Sequence, residues 1–299
     1  MPGLPKVSVL LAVKDEEEYV EACIDGFRQQ EGVELETVFI DDGSTDRTWE
    51  ILEKAAAGLP WLKPRKNLSP GKVNAFNYAY ASATGDYFCL FAGDDIMLAN
   101  TLRERVAPLL DFPADQPAVS MCKLKTFSTE RRYDGHVLPR DPKRGNTSGQ
   151  CLMFNRAFGD MLFPIPEFLP SEDTWSSIFL RFVRGIQLFH VPVVACLYRI
   201  HEGNSMNRFV KFDKFTQLVH ARAAAYAAFL ERKRNLLDEA GVQKVEALAR
   251  AEEYRFAGKT LRILRQPGLD IRDRLRVAVR SNGMLYAVRN RLWGLFSGR

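Results

Sequence analysis

Short apolar runs alternate with amphipathic stretches through the first 110 residues, and this alternation restricts the chain more than any other feature. Lys6–Val13, rich in Val and Leu, reads as a first strand. Asp15–Gln30 follows with Tyr19, Val20, Cys23, Ile24 and Phe27 at three- and four-residue spacing, which predicts a helix. Its acidic first turn, Asp15 to Glu18, complements the helix dipole. A second strand ends at Asp41-Asp42, and Asp46 is a good N-cap for a helix to about Ala57. Trp61-Leu62 starts a short strand, Lys72–Ala83 a helix, and an apolar run ending at Asp94-Asp95 precedes a helix about Leu98–Leu110. Strands alternating with such helices predict βαβ units: a mainly parallel, Rossmann-like central sheet with helices on both faces.

Two aspartate pairs, Asp41-Asp42 and Asp94-Asp95, each close one of the apolar strands. In open α/β sheets ligands bind beyond the carboxyl ends of the strands. Carboxylates gathered there suit a hard divalent cation, Mg²⁺ or Mn²⁺, and the polar parts of a nucleotide. Two adjacent like charges repel, and a bound cation would offset that repulsion.

From Pro117 the pattern changes. Ala118–Phe127 reads as a strand, and the polar stretch Ser128–Ser148 reads as a mobile functional loop. A helix about Asp173–Arg184 and strands at Ile186–Val191 and Val193–Ile200 follow; beyond Asn207 nearly everything reads helical. The net charge of +5 is unevenly shared: residues 207–299 carry 20 Lys+Arg against 9 Asp+Glu, residues 1–206 carry 22 against 28. Regions of opposite charge usually have different partners. The five cysteines are odd in number and widely spaced, without a C-x-x-C pair, so they read as reduced thiols in a reducing compartment. The N-terminus leaves no room for a signal peptide, and no run of about eighteen apolar residues occurs. The expected location is therefore the cytosol.

Residues 271–299 carry seven arginines against the single acid Asp273, interleaved with Ile271, Leu275, Leu285, Leu292, Trp293 and Phe296. That is the composition of a helix lying in lipid headgroups, which would place the protein on the inner face of the membrane against an anionic surface. A helical hairpin packed on the acidic part of the chain explains the same pattern. No nucleic-acid-binding motif is present, so no nucleic acid is expected.

Six stretches carry a resemblance: Val7–Asp15, Phe39–Asp46, Gly71–Asn77, Gly85–Asp95, Ser171-Glu172-Asp173 and Tyr198–Ser205. In this order and spacing they resemble the family 2 glycosyltransferases, inverting enzymes of the GT-A fold, over about residues 6–206. The resemblance implies a catalytic domain at 1–206, with a nucleotide-binding half at about 1–97 and an acceptor half at about 98–206. Residues 207–299 would form a basic helical extension. It implies transfer of one sugar from a nucleotide-diphospho-sugar, UDP-linked by this reading, to a glycan or lipid-linked acceptor. Asp42 would read the base, with Ala12, Val13 and Asp15 as the other wall of its pocket. Lys72, at a helix start, suits the diphosphate or a polarised base carbonyl, with Asn77 on the following turn also on the nucleotide-sugar side, and Asp94 would meet the ribose or the metal shell. Asp95 and His201 would hold the metal and Asp173 would be the general base, with Glu172, Trp175, Arg131 and Arg132 on the acceptor side.

Two positions depart from the common pattern: Asp15-Glu16 stands where Asn-Glu is frequent, and Ala92 where a further aspartate is frequent. The Q-x-x-R-W element and spanning helices of the processive synthases are missing, which favours single-sugar transfer. Plainer roles fit many of these residues: Asp41 as turn cap, Lys72 as a solvated first-turn lysine, Asp173 as helix cap, Arg131 and Arg132 as loop charges. Two rival classes stay open. Nucleotidyl transfer would want a basic Gly-rich loop after the first strand, where Lys14-Asp15-Glu16-Glu17-Glu18 is acidic. A non-catalytic membrane-surface protein would keep the fold only as scaffold.

Overall fold

The structure is a computed structural model that describes residues 3–131, 133–201 and 210–291. The chain forms two compact units, one of Met1–Glu167 with Gly185–His201, the other of Phe168–Arg184 with Glu202–Arg299. A single cut at 206 therefore does not describe the organisation: the helix beginning at Asp173 groups with the C-terminal helices. The physical reason is aromatic, because Trp175 and Phe179 of that helix pack on Phe229, with ring centroids 5.1 and 4.9 Å away.

The first unit holds β1 (Lys6–Val13), α1 (Val20–Arg28), β2 (Glu34–Asp41), α2 (Thr48–Gly58), β3 (Leu62–Lys66), α3 (Lys72–Ser82) and β4 (Tyr87–Ala92). It continues with β5 (Ile96–Met97), α4 (Thr101–Leu110), β6 (Ala118–Phe127), β7 (Val137–Leu138), β8 (Leu152–Asn155), α5 (Arg156–Leu162) and, after the helix of the second unit, β9 (Gln187–Arg199). The strands form one sheet in the order β3-β2-β1-β4-β8-β6-β9-β5, with β7 on β6. The β3-β2-β1-β4 part is parallel, as the strand–helix alternation predicts. Beyond it β6 and β9 are parallel, while β8 runs antiparallel to β4 and β6, β5 to β9, and β7 to β6. The sheet is thus mixed rather than mainly parallel in its second half. In β9, one strand replaces the two expected. Its register against β6 shifts around Pro192, which has no N–H to give the ladder.

Alternate residues of β1 sort the two faces. Val7, Val9, Leu11 and Val13 point into a core with Cys23 and Phe27 of α1, Leu52 of α2 and Val106 of α4. The opposite face is aromatic, with Tyr80 of α3 stacked on Phe163 at 4.3 Å and Phe154 between Phe88 and Phe158. Helices therefore cover both sides. All five cysteines are unpaired and buried, as small core residues are.

Residues 128–148, expected as a mobile loop, are fastened to β6. The buried Lys123 ammonium donates to the Pro139 and Asp141 carbonyls at 2.8 and 2.5 Å, because a buried cation needs acceptors. The Asn146 amide donates to the Cys122 carbonyl at 2.6 Å. At Gly145 an added Cβ would lie 1.9 Å from the Met121 carbonyl oxygen, so the two backbones meet where only glycine fits.

The second unit consists of α6 (Asp173–Phe182), α7 (Phe212–Arg232), α8 (Glu239–Phe256), α9 (Thr260–Leu264), α10 (Ile271–Ala278) and α11 (Gly283–Arg291). No described helix is long and apolar enough to cross a membrane. Gly145→Ala is expected to destabilise the first unit by about 1–3 kcal/mol, because the backbones must part to admit the methyl. Urea denaturation followed by circular dichroism measures this.

Candidate active site

The carboxyl ends of three parallel strands lie side by side. Ala12 of β1 is in register with Ile40 of β2 and Ala92 of β4, and Val13 with Asp41. At β1 the strand order reverses, with β2 and β3 on one flank and β4 on the other. That reversal opens a crevice at the strand ends.

The loops leaving β1 and β2 interlock. Asp15, at φ 53°, accepts from the Thr45 amide at 2.7 Å, and its own amide donates to Ser44 Oγ at 3.0 Å. The Glu16 and Glu17 amides donate to Thr48 Oγ1 and Asp46 Oδ2 at 2.7 and 2.9 Å. Asp41 Oδ1 accepts from the Ser44 amide and hydroxyl, which makes it a turn-closing residue. Asp42 has a longer reach. Its amide donates to Val13 O, and its Oδ1 accepts from Asn67 Nδ2 and the Gly71 amide, each at 2.8 Å. Gly71, at φ 118°, holds a conformation that other residues rarely adopt. Asp42 thereby sets the start of α3, where Lys72 is the first residue and lays its ammonium 5.4 Å from the Phe76 ring centroid. Asn77 is committed elsewhere: both ends of its amide clamp the Ile165 backbone at 2.8 Å.

At the end of β4 the second aspartate pair meets the end of β9. Asp95 is fully buried, and its Oδ1 accepts from the Arg199 amide at 2.7 Å. Its Oδ2 is buried with no hydrogen-bond partner among the described residues. Asp94 Oδ2 lies 3.0 Å from His201 Nε2, and its carbonyl accepts from Arg199 Nε at 2.8 Å. The Arg199 guanidinium sits between the Tyr19 and Phe127 rings, 4.5 and 4.9 Å from their centroids. Burial, then the Asp94 charge, pushes the Asp95 carboxyl well above the usual carboxylate range. Glu16 is raised to about 8, by burial first and by Asp94 and Asp46 next. Three acids thus crowd this spot with too little positive charge to balance them.

An all-oxygen donor pair with one orphaned oxygen, like-charge crowding and a histidine beside it fits a hard divalent cation. Among the described residues no group of three or more His, Cys, Asp or Glu side chains is arranged to ligate one. The protein would supply only part of a shell, as is usual where phosphates and water complete it.

The second unit carries Glu172 and Asp173 at the start of α6, where the Asp173 carbonyl accepts from Ser176 Oγ at 3.1 Å. Trp175, expected on the acceptor side, is a core residue with no exposed surface, packed on Phe179 and Phe229. An indole without accessible surface cannot meet an acceptor. Arg131 is exposed near the tip of the 128–148 segment. Arg132 and residues 202–205 lie outside the described residues. Sequence reasoning passed over Asn67 and gave Gly71, Arg199 and Glu16 no role. Gly71 and Arg199 stood inside stretches that carry the resemblance and Glu16 inside the acidic run after β1, whereas Asn67 carried no signal.

The profile described as "Glycosyl transferase family 2" matches residues 8–163, which contain the β1, β2 and β4 ends. The chain belongs to glycosyltransferase family 2. An uncharacterized glycosyltransferase of Nostoc sp. is 28% identical over 102 residues, 34% of this chain and 32% of that protein. The chondroitin synthase of Pasteurella multocida is 30% identical over 94 residues, 31% of this chain and 10% of that protein. In both cases the alignment spans a third of the relative or less. Among solved structures, S. aureus TarS 1-349 in complex with UDP-GlcNAc superposes with a TM-score of 0.63 at 18% identity, covering 96% of this chain and 92% of that one. The Pyrobaculum calidifontis mannosyltransferase PcManGT with GDP-Man and Mn²⁺ gives 0.57 at 19%, covering 97% and 87%. At these identities the likeness is one of fold, and that fold is the GT-A type.

Glu16 retains its proton to about pH 8 in the native state but has an ordinary value of 4.5. Its stabilising contribution is therefore complete below about pH 4.5 and is lost as pH rises through about 8. Glu16→Gln is expected to flatten that part of the stability–pH curve. Chemical denaturation in steps across the window, without added divalent cation, measures it.

Proposed function

We propose that this glycosyltransferase moves one sugar, with inversion, from a UDP-linked donor to a hydroxyl of a glycan or lipid-linked acceptor. It would do so with Mg²⁺ or Mn²⁺, on the cytosolic side, in cell-surface glycan or glycolipid synthesis. The observation that carries the donor half is the buried Asp95 carboxylate, with one oxygen held by Arg199 and the other orphaned beside Asp94. Asp95, with Asp94 and His201, would hold the cation. When bound, the cation offsets the charge that gathers on the departing diphosphate.

Asp42 is fixed at one oxygen by Asn67 and Gly71, so its second oxygen would accept from the imide N–H of uracil. Ala12 and Val13, in register with Ile40 and Asp41, would form the wall behind the base. Asp15 would act on that wall through Thr45 and Ser44 rather than by touching the nucleotide. Lys72 at the first turn of α3 would meet phosphate, where a helix start and an ammonium act together. Asn77, given its clamp, would position α3.

Asp173 would take the acceptor proton as that oxygen attacks the anomeric carbon from the face opposite the diphosphate. The bond from that carbon to the diphosphate oxygen breaks with its electron pair on the leaving group, and one displacement inverts the centre. Glu172 beside it and Arg131 would face the acceptor. Two of the solved neighbours hold UDP or UDP-GlcNAc and one holds GDP-Man with Mn²⁺, which supports the ligand class and leaves the base to Asp42.

Asp95→Ala is expected to abolish transfer and the cation requirement of UDP binding, read by calorimetry with and without chelator, while the melting curve stays cooperative. Asp42→Ala should weaken UDP binding by about 1.5–3 kcal/mol, the cost of a lost charged hydrogen bond, and leave the cation requirement in place. Asp173→Asn should bind donor normally and lose about two to four powers of ten in turnover. Product configuration opposite to the donor's, read by NMR, checks inversion.

A further inference from the structure

The C-terminal helices of the second unit expose an unusual share of large apolar side chains. Leu261 and Leu264 of α9 are accessible at i, i+3, Ile271 and Leu275 of α10 at i, i+4, and Met284 and Val288 of α11 at i, i+4. Leu261, Ile271 and Met284 are 67, 68 and 78% exposed. In each helix the opposite side is buried, through Ile263, Asp273 and Tyr286. The apolar pairs are therefore the outward stripes of helices already packed on their other side. The three helices are tied together: Thr260 Oγ1 and Ser281 Oγ lie 2.6 Å apart, Asn282 Nδ2 donates to Thr260 Oγ1 at 3.3 Å, and Arg274 donates to the Leu264 carbonyl at 3.2 Å.

Charge decides what these stripes can face. Residues 256–291 contain nine Lys and Arg against Asp270 and Asp273. Both acids are spent inside the unit, Asp270 on Lys244 at 3.2 Å and Asp273 on Arg181, Lys244 and Arg276 at 3.1, 3.6 and 2.8 Å. Lys259, Arg262, Arg265 and Arg272 are exposed and have no carboxylate partner among the described residues. Arg262 and Arg265 also line an open groove of about 280 Å³ with Tyr254, Leu261, Gln266 and Pro267. A second copy of this surface would bring arginines against arginines. A face of exposed leucines and isoleucines framed by unneutralised arginines instead matches lipid, with acyl chains for the first and phosphate headgroups for the second.

We infer that α9, α10 and α11 form a docking surface for an anionic lipid bilayer. Leu261, Ile271 and Met284 enter the headgroup layer while Arg262, Arg265 and Arg272 meet phosphates. The surface is a folded three-helix face that begins at α9. It differs from the single terminal amphipathic helix that residues 271–299 suggest in sequence, and it stands independently of the donor-site roles.

Flotation of the full chain with phosphatidylcholine vesicles, with and without phosphatidylglycerol, tests this. The protein is expected to float with the anionic vesicles only and to be released as salt rises. Arg262→Gln/Arg265→Gln/Arg272→Gln should lower partitioning about a hundredfold, since each basic residue near an anionic leaflet is worth about a fivefold factor. The triple Lys replacement at the same sites should keep most of the binding. Leu261→Ser/Ile271→Ser/Met284→Ser should also weaken it while leaving the urea melt and UDP binding unchanged. No flotation with anionic vesicles at low salt overturns the proposal. So does flotation of the Gln or Ser variant at the wild-type level. A self-association that the Ser variant abolishes, in a protein that ignores vesicles, overturns it as well.

Discussion

The site depends on one hydrogen bond in a place where water does not reach, from the Arg199 amide to Asp95 Oδ1. Placing a carboxylate at zero exposure is costly unless its oxygens are engaged. The bond engages one oxygen and in doing so fixes the end of β9 against the end of β4. Two consequences follow from the same residue. Its guanidinium reaches back to the Asp94 carbonyl between two aromatic rings, and two positions on, His201 meets the Asp94 carboxylate. A strand far along in sequence is thereby committed to the acidic end of β4. The other oxygen of Asp95 has no donor among the described residues, so a ligand that brings positive charge would relieve a cost the fold has already incurred.

The crevice beside it is built from backbone economy. The loops after β1 and β2 use Asp15, Asp46, Ser44 and Thr48, the last at the start of α2, to satisfy one another's amides. Asp42 then ties this pair of loops to the start of α3 through Gly71. A nucleotide reaching the strand ends would meet groups placed before it arrives, which reduces the ordering cost of binding.

Local signals made the first half of the sheet legible. β1 has the limits its apolar run predicts, and Asp41-Asp42 and Asp94-Asp95 stand where strands end. The aspartate pairs were readable because strand-end chemistry is local. In the mixed half β6 was equally legible, but β5 with two residues and β8 with four were not, being too short for a period to show. Lys123 and Gly145 explain the misreading of 128–148: a polar, charged segment looks free until a buried ammonium and a glycine contact far from it in sequence are known. Trp175 shows the converse error. It stands two residues after a candidate base and was expected on the acceptor side, but the helix turns it onto Phe229. Glu16 needed the fold, because the burial beside Asp94 that raises its carboxyl cannot be read from an acidic run.

Charge placement in the second unit has a feature that composition alone does not reveal: two acids, Glu252 and Asp273, are buried between its helices. Asp273, a buried acid, joins Arg181 of α6 and Lys244 of α8 to its own α10. Glu252 and Arg255, both buried on α8, pair with each other. Arg255 reaches Thr216 and Glu252 meets His220, both on α7. Such pairs add little stability beyond what apolar groups of the same size would give, but they fix which helix meets which. Their cost is that the acids so used cannot neutralise the surface. Around α9 and α10, Lys259, Arg262, Arg265 and Arg272 are left exposed without a carboxylate partner among the described residues.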